Sequence, residues 1–354
     1  MTTPINKLLS LALAQGASDL HLGVGAPPVL RINGQLETPE GQAVIDNATM
    51  QAMFEEVAGE AQRKAFASEM ETDFACQRQG LGRFRVNACR QGGSVALTFR
   101  PVRVECPALA DLGLPAVCQD LARKPGGLVI VTGPVGSGKS TTLAAMTGYL
   151  NQTTRQKIVT IEDPVEFVHQ DDKCVVWQRE VGRDTRTFAS ALKYALRQNP
   201  DVILVGEMRD LETMAAALTA AETGHLVLTT LHTRGTVESI DRFIDVFPPH
   251  QQAQARAQLA TTLEGVIYQL LLPRSDGAGR VPATEVMLVT PAVRSLIREG
   301  KTHQMRNVIQ TGSKDGMQTL NQSLVELVRH GTVTRDVALA HSLEPGELAE
   351  LIGG

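Results

Sequence analysis

Leu128-Val-Ile-Val-Thr-Gly-Pro-Val-Gly-Ser-Gly-Lys-Ser-Thr-Thr142 decides the fold. Its first four residues are an unbroken apolar run, as in a strand covered on both faces of a parallel sheet. Glycines then follow, and Thr141-Thr-Leu-Ala-Ala-Met146 has the composition of a helix. The spacing Gly133-x-x-x-x-Gly138-Lys139-Ser140, between a strand and a helix, is that of a loop that cradles phosphates. Successive backbone N–H groups and the positive helix end point at the anion. Lys139 is placed to reach β- and γ-phosphates, and the Ser140 hydroxyl to ligate Mg2+. Gly133, Pro134, Val135, Gly136, Ser137, Gly138, Lys139, Ser140 and Thr141 are therefore the candidate nucleotide-binding residues. ATP and Mg2+ are the expected cofactors.

Ile158-Val-Thr-Ile161, Val202-Ile-Leu-Val205 and Leu226-Val-Leu-Thr229 repeat the buried-strand character, with helical segments between them. Met214, Ala217, Leu218 and Ala221 fall at helical spacing, with Asp210 as N-cap and Gly224 as stop. Alternating strands and helices imply an α/β fold with a mostly parallel sheet. Ligands bind at the carboxyl ends of such strands. Glu207 ends the strand from Val202 and is the first candidate for contact with a metal-bound water. Ile161-Glu-Asp-Pro-Val-Glu166 ends another strand with three carboxylates; Asp163 and Glu166 read equally well as helix caps. His225 and His232 bracket the strand from Leu226, a placement that suits nucleotide sensing. No third ligand stands at metal spacing, which argues against zinc. From about residue 250 the chain reads as helical, broken near Pro273 to Gly279, Gly312 and Gly331.

Residues 1–100 read as a separate unit and residues 101–125 as a linker with a short helix, leaving 126–354 for the phosphate-binding domain. Ile5 to Gln15 suits a helix stopped by Gly16, Asp19 to Leu22 a half-buried strand, and residues 48–69 helix. Val29-Leu-Arg-Ile32 followed by Asn33-Gly34 signals a hairpin. Arg83 to Arg90 and Val95 to Arg100 read as two strands joined through Gln91-Gly-Gly-Ser94. Phe84, Val86 and Ala88 share one face, while Arg83, Arg85 and Asn87 share the other. Spacing alone makes that basic side a solvated face.

The chain has 354 residues, 43% hydrophobic and 20% charged, so it carries enough apolar material for more than one core. A net charge of -4 and a pI near 6.1 give no general attraction to nucleic acid or anionic lipid. One Trp, three Tyr and nine Phe leave little for stacking on bases. The five cysteines form no C-x-x-C pair, which suits reduced packing residues in the cytosol. Neither a charged leader with an apolar core nor a run of about twenty apolar residues is present, so no membrane insertion is expected.

Taken in order, Gly82-Arg-Phe-Arg-Val-Asn87, Gly133 to Thr142, Thr160 to His169, Val202 to Asp210 and Ala220 to Thr233 resemble the secretion ATPases of type II secretion and type IV pili. Ala17 to Leu22, Gln178-Arg-Glu-Val181, Ile244 to Pro248 and Gly316 to Leu320 extend the resemblance from about residue 5 to 345. Pro291 to Gly300 is similar to the C-terminal motif of the pilus-retraction branch. Departures such as Val135 in the phosphate loop and Trp177 before Gln178 remove no catalytic group. The resemblance implies a PAS-like α+β domain joined to a RecA-like P-loop domain, in a homohexameric ring that drives pilus retraction. It implies that Glu166 polarises the attacking water, that Glu207 has the Walker B role, and that His225 and His232 form a histidine box. Arg85 and Arg100, less securely Arg83, are implied to serve a neighbouring nucleotide site. The implied partner is a pilus platform protein, met at the cytoplasmic face of the inner membrane, with an accessory retraction paralogue as a further partner. Alternatives are that paralogue itself, and an assembly or secretion ATPase. The latter carries a paired-cysteine element that Leu270 to Gly279 lacks. A RecA-like nucleic-acid translocase is a different class, opposed by the acidic pI.

Overall fold

The computed structural model describes residues 4–32, 34–102 and 106–353. The chain divides into two units, Met1–Glu105 and Cys106–Gly354. In the first, helix α1 (Pro4–Ala14) buries Ile5, Leu8, Leu9 and Ala12, one stripe of a 3.6-residue period. Strands β1 (Asp19–Leu22), β2 (Val29–Ile32) and β3 (Gln35–Glu37) follow. The β2–β3 hairpin forms with Gly34 at φ 85°, while Asn33 lies outside the described residues. Helices α2 (Asn47–Val57) and α3 (Glu60–Glu69) replace the single helical stretch expected over 48–69. The break falls at Ala58-Gly59, where Gly59 serves as N-cap of α3.

Strands β4 (Glu71–Arg78), β5 (Gly82–Gln91) and β6 (Ser94–Val102) complete a six-stranded sheet ordered β3-β2-β1-β6-β5-β4. Only two of the eight β4 residues are buried, too few alternations for a period of two to announce it. Phe84, Val86 and Ala88 pack into this unit's core with Val95, Leu97 and Phe99. Arg85 and Arg100 pair across β5 and β6, and both are exposed.

In the second unit, part of the stretch expected as a linker with a short helix is packed, from Leu109 to Ala122. A 3-10 turn (Leu109–Leu112) and α4 (Val117–Ala122) bury Leu109, Cys118, Leu121 and Ala122. Strand β7 (Gly127–Thr132), helix α5 (Lys139–Thr153), β8 (Lys157–Glu162), β9 (Val175–Glu180) and α6 (Phe188–Ala195) come next. Then follow β10 (Val202–Val205), α7 (Leu211–Glu222), β11 (Leu226–Leu231), α8 (Thr236–Asp245) and α9 (Pro249–Thr262). Asp210 caps α7, accepting the Thr213 N–H at 2.8 Å.

The region expected to be helical from about residue 250 instead contributes β12 (Leu263–Pro273) and β13 (Arg280–Leu288). Strand β12 starts directly after α9, and a buried apolar run has no period that separates strand from helix. The remaining elements are helical: α10 (Pro291–Glu299), α11 (Met305–Thr311), α12 (Leu320–Arg329), α13 (Arg335–His341) and α14 (Pro345–Gly353).

The seven-stranded sheet runs β13-β12-β7-β11-β10-β8-β9, parallel except for the β12–β13 hairpin. Pro282 is tolerated because β13 is an edge strand and a missing N–H there breaks no inner ladder. Every residue of β7, β10 and β11 is buried, so their carboxyl ends are rigid points from which side chains can be aimed. Among the described residues, no helix is long and apolar enough to cross a membrane.

Candidate active site

The phosphate loop leaves β7 at Thr132, whose hydroxyl donates to the Leu231 carbonyl at 3.1 Å and accepts the Thr233 N–H at 3.0 Å. These bonds tie the carboxyl ends of β7 and β11 together. Gly133 has φ 148°, and a Cβ there would stand 2.3 Å from the Gln269 carbonyl oxygen. Gly138 has φ 90°, and its Cβ would stand 2.8 Å from Gln269 Nε2. Gly133 therefore needs glycine for conformation and for room, and Gly138 for conformation. Gln269, on β12, underpins the loop and also accepts the Thr142 hydroxyl at 2.8 Å. Sequence reasoning missed it because β12 was read as helix; the signal was one polar residue inside Val266-Ile-Tyr-Gln-Leu-Leu-Leu272. Arg280 was missed too, and its Nη1 lies 3.4 Å from the Gly136 carbonyl.

Lys139 Nζ donates to the Gly133 and Pro134 carbonyls at 2.9 and 2.8 Å. Burial lowers the ammonium's proton affinity, while the charges of Glu166 and Glu207 raise it. Both carboxylates thus lie within electrostatic reach of Lys139. The first α5 bond runs from the Thr142 N–H to the Gly138 carbonyl. The amides before it are the donors that a helix start leaves for an external acceptor. Ser137 Oγ is buried in the loop without a hydrogen-bond partner, while Pro134, Val135, Gly136 and Ser140 are exposed. An orphaned buried hydroxyl, open first-turn amides and a lysine parked on carbonyls fit a phosphate group.

Glu207 follows β10, and the Thr230 hydroxyl braces the preceding Gly206 carbonyl at 2.6 Å. Its Oε2 lies 2.8 Å from Arg209 Nε and 3.8 Å from His232 Nε2. Partial burial and the Lys139 charge hold His232 below the usual histidine range, opposed by Glu207. His225 is elsewhere. It precedes β11 beside Gly127, its ring held by the Ala220 carbonyl and Thr223 Oγ1 at 3.0 and 3.1 Å. Six residues at about 3.3 Å each put it roughly 20 Å from the carboxyl end of that strand. The structure brings His232, not His225, to the phosphate loop of its own chain.

Asp163 and Glu166 cap no helix, since residues 163–174 run as loop after β8. Glu162 is half-buried; desolvation pushes its carboxyl up, opposed by hydrogen bonds from Thr160 and Gln178 and by the nearby Glu166 backbone N–H. Arg85 and Arg100 belong to the first unit. Arg100 Nε and Nη2 both reach Asp19 Oδ1, at 2.9 and 2.8 Å. Burial alone would raise the Asp19 pKa, but hydrogen bonds from Ser18 and Arg100 leave it below the usual carboxylate range. Arg83 is half-buried on the same strand as Arg85.

A glycine-rich loop between a buried parallel strand and a helix, with acidic residues at the carboxyl ends of neighbouring strands, defines a P-loop ATPase. The family model of the type II/IV secretion system proteins matches residues 111–342, and the chain belongs to that family. It is 49% identical over 334 residues to the type IV pilus retraction ATPase PilT of Pseudomonas aeruginosa, covering 94% of this chain and 96% of that one. To the type IV pilus ATPase PilU of the same organism it is 41% identical, covering 98% and 90%. The crystal structure of a pilus retraction motor PilT with bound ADP matches with a TM-score of 0.92 at 45% identity, over 97% of this chain and 98% of that one.

Proposed function

We propose that this chain is a hexameric ATPase motor that powers type IV pilus retraction and hence twitching motility. The observation that carries this reading is a phosphate loop whose Lys139 lies within electrostatic reach of Glu166 and Glu207, in a chain similar to a retraction motor over 94% of its length. The higher identity to PilT than to PilU favours the motor over the accessory paralogue.

When bound, MgATP supplies the γ-phosphoryl group whose transfer to water yields ADP and phosphate. The loop amides from Gly136 to Thr141 and the Ser137 hydroxyl hold phosphate oxygens. Lys139 exchanges the Gly133 and Pro134 carbonyls for the β- and γ-phosphates. Ser140 and Glu207 would hold Mg2+, which would offset charge on the phosphate oxygens, and Glu207 would then have to loosen its pairing with Arg209. Glu166 takes the proton of the attacking water. His232, beside Glu207, senses the state of the γ-phosphate. Arg85 and Arg100, with Arg83, stabilise charge on the nucleotide of a neighbouring subunit. The load is a platform protein of the inner membrane, met from the cytoplasmic face, with a PilU-type paralogue as a further partner.

The test is complementation of a strain lacking the gene. The wild-type chain restores retraction. The Glu166→Ala chain binds ATP within about twofold of wild type, turns over at least about 100-fold more slowly, and leaves pili extended. Normal hydrolysis by that variant removes Glu166 from its role. Normal retraction without the chain rejects the motor.

A further inference from the structure

We propose that Glu162, Gln178 and Glu180 form a template that positions Glu166, so that hydrolysis depends on three side chains that do not touch the nucleotide. This rests on Glu166 being the residue that activates water, as proposed above.

A base must sit within hydrogen-bond reach of the proton it takes, and a loop by itself holds a side chain less tightly than a strand or helix does. Glu166 is on such a loop. Its neighbours compensate. Strands β8 and β9 are parallel, with Thr160 opposite Gln178 and Glu162 opposite Glu180. Gln178 and Glu180 are two residues apart and so share one face of β9, as Thr160 and Glu162 share one face of β8.

From these strands, side chains reach across to the loop backbone. Val165 N–H donates to Glu180 Oε2 at 3.1 Å. The Glu166 backbone N–H faces the Glu162 carboxyl closely enough to favour its charged form. Gln178 Nε2 donates to the Phe167 carbonyl, and Gln178 Oε1 accepts the His169 N–H, both at 2.8 Å. The template is itself cross-braced: Glu162 Oε1 accepts the Thr160 hydroxyl at 2.6 Å and Gln178 Nε2 at 3.3 Å. Glu180 in turn has its own N–H held by Asp184 Oδ2 at 2.9 Å. Three side chains thus stand in for the ladder of a strand that the loop does not form. Val165 and Phe167 are buried on either side of exposed Glu166, which fixes the loop's facing as well as its backbone. Half-buried, Glu162 carries an unfavourable charge, offset in part by the bonds from Thr160 and Gln178.

The experiment measures ATP turnover and equilibrium ATP binding in the full chain for Gln178→Ala and for Glu162→Gln. The second variant keeps size but turns one acceptor oxygen facing the loop and its braces into an NH2 donor. Both are expected to lose about tenfold to 100-fold in kcat, as small misplacements of a catalytic group do. ATP affinity stays within about twofold, and melting curves report whether each variant folds. In a Glu166→Ala background, neither substitution lowers the residual rate further, because no base is left to position. Wild-type kcat in both variants overturns the template, as does a loss that multiplies with Glu166→Ala or one that appears only in ATP affinity. If Glu166→Ala alone hydrolyses normally, the catalytic assignment fails; if it is inactive while both other variants are normal, only the template fails.

Discussion

Lys139 shows what one residue does in waiting. Its ammonium is mostly buried, its proton affinity is lowered by that burial, and two loop carbonyls hold it where phosphate oxygens belong. Exchanging neutral carbonyls for charged oxygens strengthens both bonds. Lys139→Ala should therefore weaken binding itself, by about tenfold to 100-fold for a loss of about 1.5–3 kcal/mol. Equilibrium titration with a fluorescent ATP analogue measures this, and unchanged affinity would place Lys139 off the phosphates. The loop was legible in the sequence because its chemistry is contiguous, from Gly133 to Thr142. Gln269 and Arg280 were not legible. They reach the same loop from strands more than a hundred residues away, made neighbours by the β7–β12 pairing and, for Arg280, the β12–β13 hairpin.

At the scale of elements, the inner strands that lie between helices announced themselves, while inner β12 and the edge strands β9 and β13 did not. Strands β7, β8, β10 and β11 are short apolar runs between helices, readable one by one. Strand β9 carries Val175, Trp177, Gln178 and Arg179 on an edge, where mixed polarity hides the period. Its role emerges only in register with β8, where Glu162 meets Glu180. That pairing has a consequence for stability. Burial raises the Glu162 pKa above its usual 4.5, with the Glu166 charge adding to it. The folded state then holds the proton more tightly than the unfolded one, so its contribution is full below the usual value and declines as pH rises through the raised one. Glu162→Gln cannot titrate. The melting temperature of the variant relative to wild type should rise as pH increases above about 4.5. Melting curves at a series of pH values check this; a difference that is constant or reversed in sign would mean Glu162 is ionised at no penalty.

At the scale of the whole molecule, the chain separates its chemistry. The phosphate loop, Glu166 and Glu207 belong to the second unit, and Arg85 and Arg100 to the first. A guanidinium that acts on a phosphate must be presented firmly, since its planar fork discriminates by geometry. Arg100 meets that need: Asp19, buried and held ionised, takes two of its N–H groups and leaves the side chain exposed. Arg85 stands directly opposite on β5. If these arginines serve a neighbour's nucleotide, Arg85→Ala and Arg100→Ala should each lower hydrolysis by about 10³-fold or more, as loss of an arginine acting in trans does. The stronger expectation concerns mixing. An Arg100→Ala subunit keeps an intact Glu166, and a Glu166→Ala subunit keeps an intact Arg100. Rings assembled from both then contain some interfaces at which a sound carboxylate faces a sound arginine. Turnover of the mixed preparation, measured after subunit exchange at several ratios, should exceed that of either inactive parent and peak near equal proportions. Activity that never rises above the parents would confine the arginines to their own subunit, and the motor would have to couple its units without a shared site.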